Sequence, residues 1–464
     1  MIRLFKHYIP HAVLLLGAID FLLLLAGAEA GWALRLWQID AGYVPFSERL
    51  HNVLVFAVTI QLAMVSVGVY SSEALLSVRF AAARLVVALA IGILALSLLY
   101  FLAPPVAFWR SSLLYATLLA LAAMIIARAA LRGTMNGAKL KRRVVILGAG
   151  ARAARVGRLS VRESSNFIIV GYIAMNDGPE EVLGAVNRAD LPSLPGYLVK
   201  LGASEVVLAL EERRNALPLE DLLRAKTTGV RVHEFASFIE RESGRVDLRS
   251  LNPSWLIFSD GFSGGRRVSA VAKRVFDLVF SIILIALTAP VMLLAALAVK
   301  VETKGPAFYR QRRVGLYGEP FELIKIRSMR VDAEVGGTAV WAKKDDPRVT
   351  RVGNFLRKTR IDELPQAWSV LKGKMSFVGP RPERPQFVHD LEARLPYYAE
   401  RHVVKPGITG WAQINYPYGA SVEDAREKLE YDLYYAKNYT PFLDLLILMQ
   451  TVRVILWPEN AGAR

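Results

Sequence analysis

Residues 357–382 read RKTRIDELPQAWSVLKGKMSFVGPRP, and they gather the side chains best suited to chemistry. Asp362 and Glu363 are adjacent, Arg357 stands five residues upstream, and Pro380-Arg381-Pro382 forms a turn downstream. A carboxylate held beside fixed cations can attack phosphorus and form an acyl phosphate. The cations meet the charge that builds on the phosphate oxygens. The sequence predicts a helix beginning near Glu363, with Pro365 in its first turn, where a missing N–H costs little. Asp362 then lies near the N-cap, where free N–H groups and the positive helix end keep it ionised and also receive phosphate oxygens. Acidic pairs at helix starts are commonly plain caps, so the pair by itself specifies nothing. Its surroundings decide the matter.

Seven segments in order carry a resemblance: KRVFDLVFS from Lys273, GPAFYRQRRVG from Gly305, FELIKIRSM from Phe321, LRKTRIDELPQ from Leu356, LKGKMSFVGPRP from Leu371, KPGITGWAQIN from Lys405 and LEYDLYYAKN from Leu429. Together they resemble the bacterial polyprenyl-phosphate hexose-1-phosphate transferases, the monotopic phosphoglycosyl transferases that start exopolysaccharide, capsule or O-antigen assembly. The resemblance implies two substrates, an undecaprenyl-type polyprenyl phosphate in the membrane and a UDP-hexose in the cytoplasm. Asp362 would attack the sugar-bearing phosphate, UMP would leave, and the lipid phosphate would displace the aspartate to give a polyprenyl diphosphate sugar. By motif match Lys325, Arg357 and Arg381 bind phosphate, with Arg313 as a further candidate. Mg²⁺ is the expected ion, since hard oxygen ligands and a diphosphate come together, and Glu363 is its expected ligand. Downstream glycosyltransferases are the expected functional partners, and homodimerisation is left open. Two departures bear on the last loop: Lys405 stands where many relatives have Arg, and Tyr416-Pro417-Tyr418 replaces a stretch that often includes Arg.

These residues need a frame, and composition describes it. The chain has 464 residues, 53% of them hydrophobic, so two or three domains with membrane segments are expected. It has no cysteine, which excludes disulfides and thiolate chemistry. A formal charge of +17 suits anionic head groups and phosphorylated substrates. No nucleic-acid-binding motif accompanies the charge, so nucleic acid is not an expected partner. The expected fold is membrane α plus α/β: four transmembrane helices in 1–135, a Rossmann-like α/β accessory domain in 136–250, a linker in 251–268, and a catalytic α+β domain in 269–464 with a re-entrant helix at 275–300.

Four apolar stretches, about 12–34, 51–70, 85–105 and 111–131, are long enough to span a lipid bilayer. Asp20 and Glu29 in the first would face neighbouring helices or an interface. Arg3 and Lys6 precede the first span, Arg79 and Arg84 are read as lying between the second and third, and Arg132, Lys139, Lys141, Arg142 and Arg143 follow the fourth. That asymmetry, imperfect because Arg35 and Arg49 sit in the first loop, places both ends of the unit on the cytoplasmic side of the bacterial inner membrane.

RRVVILGAGARAARVGR from Arg142 then opens a dinucleotide-type fold, with Gly148 and Gly150 in place and Ala153 at the third glycine position. Either a nucleotide binds there or the glycines only make a tight turn. The turn is the preferred reading, because Asp177 lies too late for a ribose contact. In the larger members of the resembled family such a domain is accessory.

Residues 275–300 form a fifth apolar stretch, flanked by Lys273 and Arg274 before it and by Lys300 and Lys304 after it. Pro290 would interrupt the helix well inside a core of about 30 Å. Basic flanks on both sides and a cytoplasmic UDP-sugar predict a helix–break–helix that returns to the cytoplasmic face, broken at Ala289-Pro290 where relatives have Ser-Pro. PFLDLLILMQTVRVILW from Pro441 reads either as an interfacial helix or as a buried core helix. Two rival functions fit parts of the sequence. A membrane-anchored nucleotide-sugar dehydratase or epimerase needs a Tyr-x-x-x-Lys pair, and no tyrosine here has a lysine four residues on. A non-catalytic polysaccharide-export regulator would have no use for Asp362-Glu363 and its cations.

Overall fold

A computed structural model describes residues 2–4, 7–9, 11–42, 45–71, 74, 77–135, 141–162, 165–175, 180–211, 217–251, 267–331, 333, 347–417, 419 and 421–457. Most of the expected linker, and also Lys139, Asp177 and Tyr418, lie outside them. The chain forms two compact units, built mainly from residues 8–244 and 245–464.

The first unit opens with helices His11–Gln38, Phe46–Val67, Val78–Leu102 and Arg110–Met135. By length and composition all four could cross a membrane, as could Ser269–Glu302 in the second unit, and the protein is a membrane protein. Charges inside such helices need partners, because lipid offers none. Asp20 finds Arg128, whose two terminal nitrogens each donate to it at 2.8 Å, and Tyr70 donates to it at 2.9 Å. Glu29 pairs with Arg49 at 2.9 Å. The third helix starts earlier than hydropathy suggests, so Arg79 and Arg84 belong to its first turns and not to a loop. Arg84 is buried there and donates to Gly68 O at 2.9 Å.

After the helices comes a five-stranded parallel sheet, in the spatial order Ala185–Asn187, Phe167–Ala174, Arg142–Leu147, Glu205–Leu208, Arg231–Glu234. The order reverses beside Arg142–Leu147, the place where doubly wound folds bind ligands. Gly148 has φ +126, and a Cβ there would stand 2.6 Å from Ala209 O, so the glycine is required by the close approach of the neighbouring strand end. Gly150 caps the Ala151–Ser160 helix, whose Ala151 N–H donates to the Glu211 carboxylate at 2.9 Å. One of the free N–H groups with which a helix start can bind phosphate is thus taken by a side chain of this protein.

In the second unit residues 245–248 are part of the packed domain. Val246 N–H donates to Glu430 O at 3.0 Å, Leu248 N–H to the Glu430 carboxylate at 3.2 Å, and Arg245 pairs with Glu427 and Glu430. Val246 and Leu248 join a core formed by Tyr434, Tyr435, Leu433, Val378 and Trp411. Two short sheets complete the framework: an antiparallel hairpin, Phe308–Val314 with Pro320–Ile326, and a parallel pair, Ser376–Val378 with Gly407–Thr409. The Pro441–Leu456 helix buries Leu443, Asp444 and Ile447, and exposes Leu445, Ile455 and Leu456.

One helix runs from Arg267 to Glu302 with Pro290 inside it, so the expected interruption at Ala289-Pro290 does not divide it into two helices. A proline costs an interior helix one hydrogen bond and creates a bending point without necessarily ending the helix. Leu287, Leu293 and Leu294 are exposed on this helix. Its two ends, in contrast, both pack on the second unit. Lys273 reaches Asp444 at 2.5 Å and Tyr435 at 3.0 Å. Arg274 caps Val370 O and Leu371 O at 2.8 Å, and Ala295 and Val299 pack with Ile326 and Leu356.

Candidate active site

The Arg351–Lys358 helix, capped by Thr350, carries Arg357 in its last turn. Arg360 then adopts a left-handed conformation with φ 60, which turns the chain into a single 3-10 turn, Ile361–Glu363. The next helix starts only at Gln366. Asp362 is therefore not an N-cap, and the expected helix-end stabilisation of its charge is absent. It is buried instead, 7% exposed, and its Oδ1 accepts no hydrogen bond from any described residue. Burial pushes its carboxyl above the usual range, Glu363 adds to the effect, and Lys325, Arg360 and Arg357 offset it in part. Asp362 is a desolvated and unusually basic carboxylate.

Glu363 is its opposite. Lys325 lies 2.9 Å from its Oε1, Arg381 3.4 Å from the same atom, and Arg360 3.6 Å from its Oε2. Burial raises this carboxyl too, but Arg381, Lys325 and Arg360 outweigh burial and hold it well below the usual carboxylate range. Two adjacent acids are thus driven apart, one fixed as an anion among cations and one left with a free oxygen.

Arg381 is presented by a turn whose carbonyls are individually held. Arg401 Nη2 donates to Arg381 O at 3.0 Å, Arg313 Nη1 donates to Pro382 O at 3.0 Å, and Gly407 N–H donates to Pro380 O at 2.9 Å. Gly379 comes so close to the neighbouring Lys405–Gly407 backbone that a Cβ there would collide with Lys405 O. Arg401 is anchored by Asp432, at 3.0 Å from Nε and 2.7 Å from Nη2, and by the Tyr398 hydroxyl at 2.8 Å.

The structure therefore brings Lys325, Asp362, Glu363 and Arg381 together, with Arg357 acting electrostatically on Asp362. Arg313 is assigned differently from the expectation. Its guanidinium serves Pro382 O, Gln311 and Glu383, so it buttresses the turn. Lys405 lies beside Arg274 and Asp277, and the Tyr416 hydroxyl donates to Asp424 at 2.9 Å. Three residues escaped the sequence reading: Arg360, Arg401 and Asp432. For Asp432 there was a signal, an acid set among the tyrosines of LEYDLYY. Among the described residues no three His, Asp or Glu side chains converge as a protein-only metal cage. One carboxylate with substrate oxygens is a set that Mg²⁺ accepts, and Glu363 would have to exchange its present cationic partners to join it.

The bacterial sugar transferase profile matches residues 268–458, and a CoA-binding domain profile matches residues 65–201. The UDP-N-acetylgalactosamine-undecaprenyl-phosphate N-acetylgalactosaminephosphotransferase of Aeromonas hydrophila is 42% identical over 52% of this chain, and the match spans 56% of that protein. The UDP-glucose:undecaprenyl-phosphate glucose-1-phosphate transferase of Xanthomonas campestris pv. campestris is 34% identical over 74% of this chain and 73% of its own length. The undecaprenyl-phosphate glucose phosphotransferase of Komagataeibacter xylinus is 33% identical over 70% and 60%.

Proposed function

This chain belongs to the bacterial sugar transferases that act as polyprenyl-phosphate sugar-1-phosphate transferases, and on that basis we propose that it moves a hexose-1-phosphate from a UDP-sugar to an undecaprenyl-type phosphate through a phosphosugar on Asp362. The carrying observation is the contrast between the two acids: a buried Asp362 with a free oxygen beside a Glu363 pinned by three cations. In the first displacement the Asp362 carboxylate forms a bond to the sugar-bearing phosphorus, and the bond to the UMP oxygen breaks. In the second an oxygen of the lipid phosphate attacks the same phosphorus, and the carboxylate leaves. Lys325, Arg357, Arg360 and Arg381 meet the charge on the phosphoryl oxygens in both steps, as preorganised cations do in other phosphoryl transfers. Mg²⁺, held by Glu363 with substrate oxygens, would supply further charge neutralisation at the diphosphate.

The two ends of the Arg267–Glu302 helix support a re-entrant path, since both pack on the same unit while the middle is apolar and exposed. A helix of this kind dips into one leaflet and returns, leaving Asp362 on the cytoplasmic side where UDP-sugars are. Arg267→Cys and Lys304→Cys, introduced singly into this cysteine-free chain, should both be shielded from an impermeant thiol reagent in intact cells. Labelling of the Lys304 position alone would mean a full crossing and would remove Asp362 from its substrate.

The activity is tested by UMP release from a panel of UDP-sugars in the presence of polyprenyl phosphate. Release with one or more sugars is expected. A folded, membrane-inserted protein that releases UMP from none of them is not a transferase of this kind.

A further inference from the structure

The Arg267–Glu302 helix touches the active site twice, once on each side of Pro290. On the first limb Asp277 is buried, and its Oδ1 accepts the Phe377 N–H at 3.1 Å and the Ser376 hydroxyl at 3.0 Å. Lys273, a turn earlier, donates to Val378 O at 2.9 Å. The strand so held runs directly into Gly379, Pro380 and Arg381. At the other end Glu302 accepts the Arg351 N–H at 2.8 Å and the Val352 N–H at 3.2 Å. It thereby closes the start of the helix that carries Arg357 and leads to Arg360, Asp362 and Glu363. Nearby, Val299 packs with Ile326 and Leu356, the sequence neighbours of Lys325 and Arg357. The first limb thus carries the Arg381 wall and, through Arg274, holds the end of the Gln366–Leu371 helix, while the second carries the approach to Lys325, Arg357 and Asp362. The walls meet at Glu363, where Arg381 Nη2 is 3.4 Å from Oε1.

We propose that Asp277 and Glu302 are positioning residues for the transfer, each tying one phosphate-binding wall to one limb of the membrane helix, so that the path of the helix through Pro290 sets the gap between the walls. This rests on the Asp362 transferase reading. Proline is where a helix bends most readily, and membrane helices answer a change in bilayer thickness by tilting or kinking. A misplacement of about 1 Å between reacting groups costs on the order of 10²-fold in rate. The bilayer is then part of what assembles the site, since the lipid substrate and the Pro290 stretch of the helix meet the same membrane.

The test uses the full chain in nanodiscs of a short-chain lipid, dimyristoylphosphatidylcholine, and a long-chain one, dierucoylphosphatidylcholine. The probe is the UDP-sugar from which the wild type releases UMP fastest. The rate of phosphosugar-enzyme formation, KM and the unfolding temperature are measured together. Glu302→Ala and Asp277→Ala should each slow adduct formation by roughly 10- to 100-fold, with KM moving less than the rate. Glu302→Gln and Asp277→Asn, which keep an acceptor oxygen, should recover most of it. The wild-type rate should differ several-fold between the two lipids, and that difference should shrink in both alanine variants. If Asp277→Ala does not fold, Glu302→Ala at its exposed position carries the test alone. Wild-type labelling rates in Glu302→Ala, or a wild-type rate indifferent to the lipid, would overturn the proposal while leaving the transferase reading intact. A wild type that acquires no phosphosugar would take down both.

Discussion

Asp362→Asn is expected to lower turnover and phosphosugar labelling by about 10⁴-fold or more, while the protein unfolds at the same temperature as wild type, or a higher one, at neutral pH. The stability half follows from the direction of the Asp362 shift. Burial and then Glu363 raise its carboxyl above the ordinary value, with Lys325, Arg360 and Arg357 offsetting only part. An acid whose folded-state value exceeds its unfolded one favours the fold below the unfolded value, and that contribution is lost as pH rises through the folded value. At neutral pH the charge is therefore a burden that asparagine removes. Catalysis runs the other way, because only the carboxylate attacks phosphorus. Adduct formation should fall on acidification at a higher pH than an ordinary aspartate would give. Retention of more than a few per cent of wild-type activity in Asp362→Asn would sink the covalent assignment.

Arg401→Met is expected to be the most destabilising single change near the site. Arg401 and Asp432 have side chains 5% and 3% exposed, and they form an ion pair at 2.7 Å. Removing one partner leaves a buried charge, which costs about 3–5 kcal/mol, or a melting temperature lower by roughly 10 °C for a unit of this size. Arg381 O also loses its donor, so activity should fall further than the folded fraction explains. The double variant Arg401→Met/Asp432→Leu separates the two effects. Replacing a buried pair with apolar groups of similar volume is often neutral, so stability should largely return. Activity should not, because the turn under Arg381 remains unsupported. Full activity in the double variant would show that Arg401 serves the core alone.

What the sequence disclosed here is what lies contiguous in it. Asp362-Glu363, Arg357 and the Pro380-Arg381-Pro382 turn fall within one short stretch, and their convergence with Lys325 followed motif order. Hydropathy marked five apolar helices, but it clipped the third, because Arg79 and Arg84 depress the average in turns that are helical all the same. The glycine turn at Gly148 announced a doubly wound sheet, yet not that Glu211 would take the helix end. The electrostatic state of Asp362 was misjudged for a local reason. Arg360 at φ 60 ends one helix early and delays the next, which converts an expected cap into a buried side chain. Arg401 and Asp432 are 31 residues apart, and only the packed domain joins them. The charge of Arg313 is visible in the sequence, while the carbonyl it serves, Pro382 O, is not.

The proposed covalent step can be observed without the lipid. Purified protein incubated with its UDP-sugar and Mg²⁺, but with no polyprenyl phosphate, is digested and analysed by mass spectrometry while UMP is quantified. A hexose-phosphate should appear on the peptide containing Asp362, with UMP released once per enzyme and no further turnover, and later addition of polyprenyl phosphate should discharge it. UMP release that waits for the lipid, with no adduct at any time, would mean that the two substrates react directly and that Asp362 is not the nucleophile.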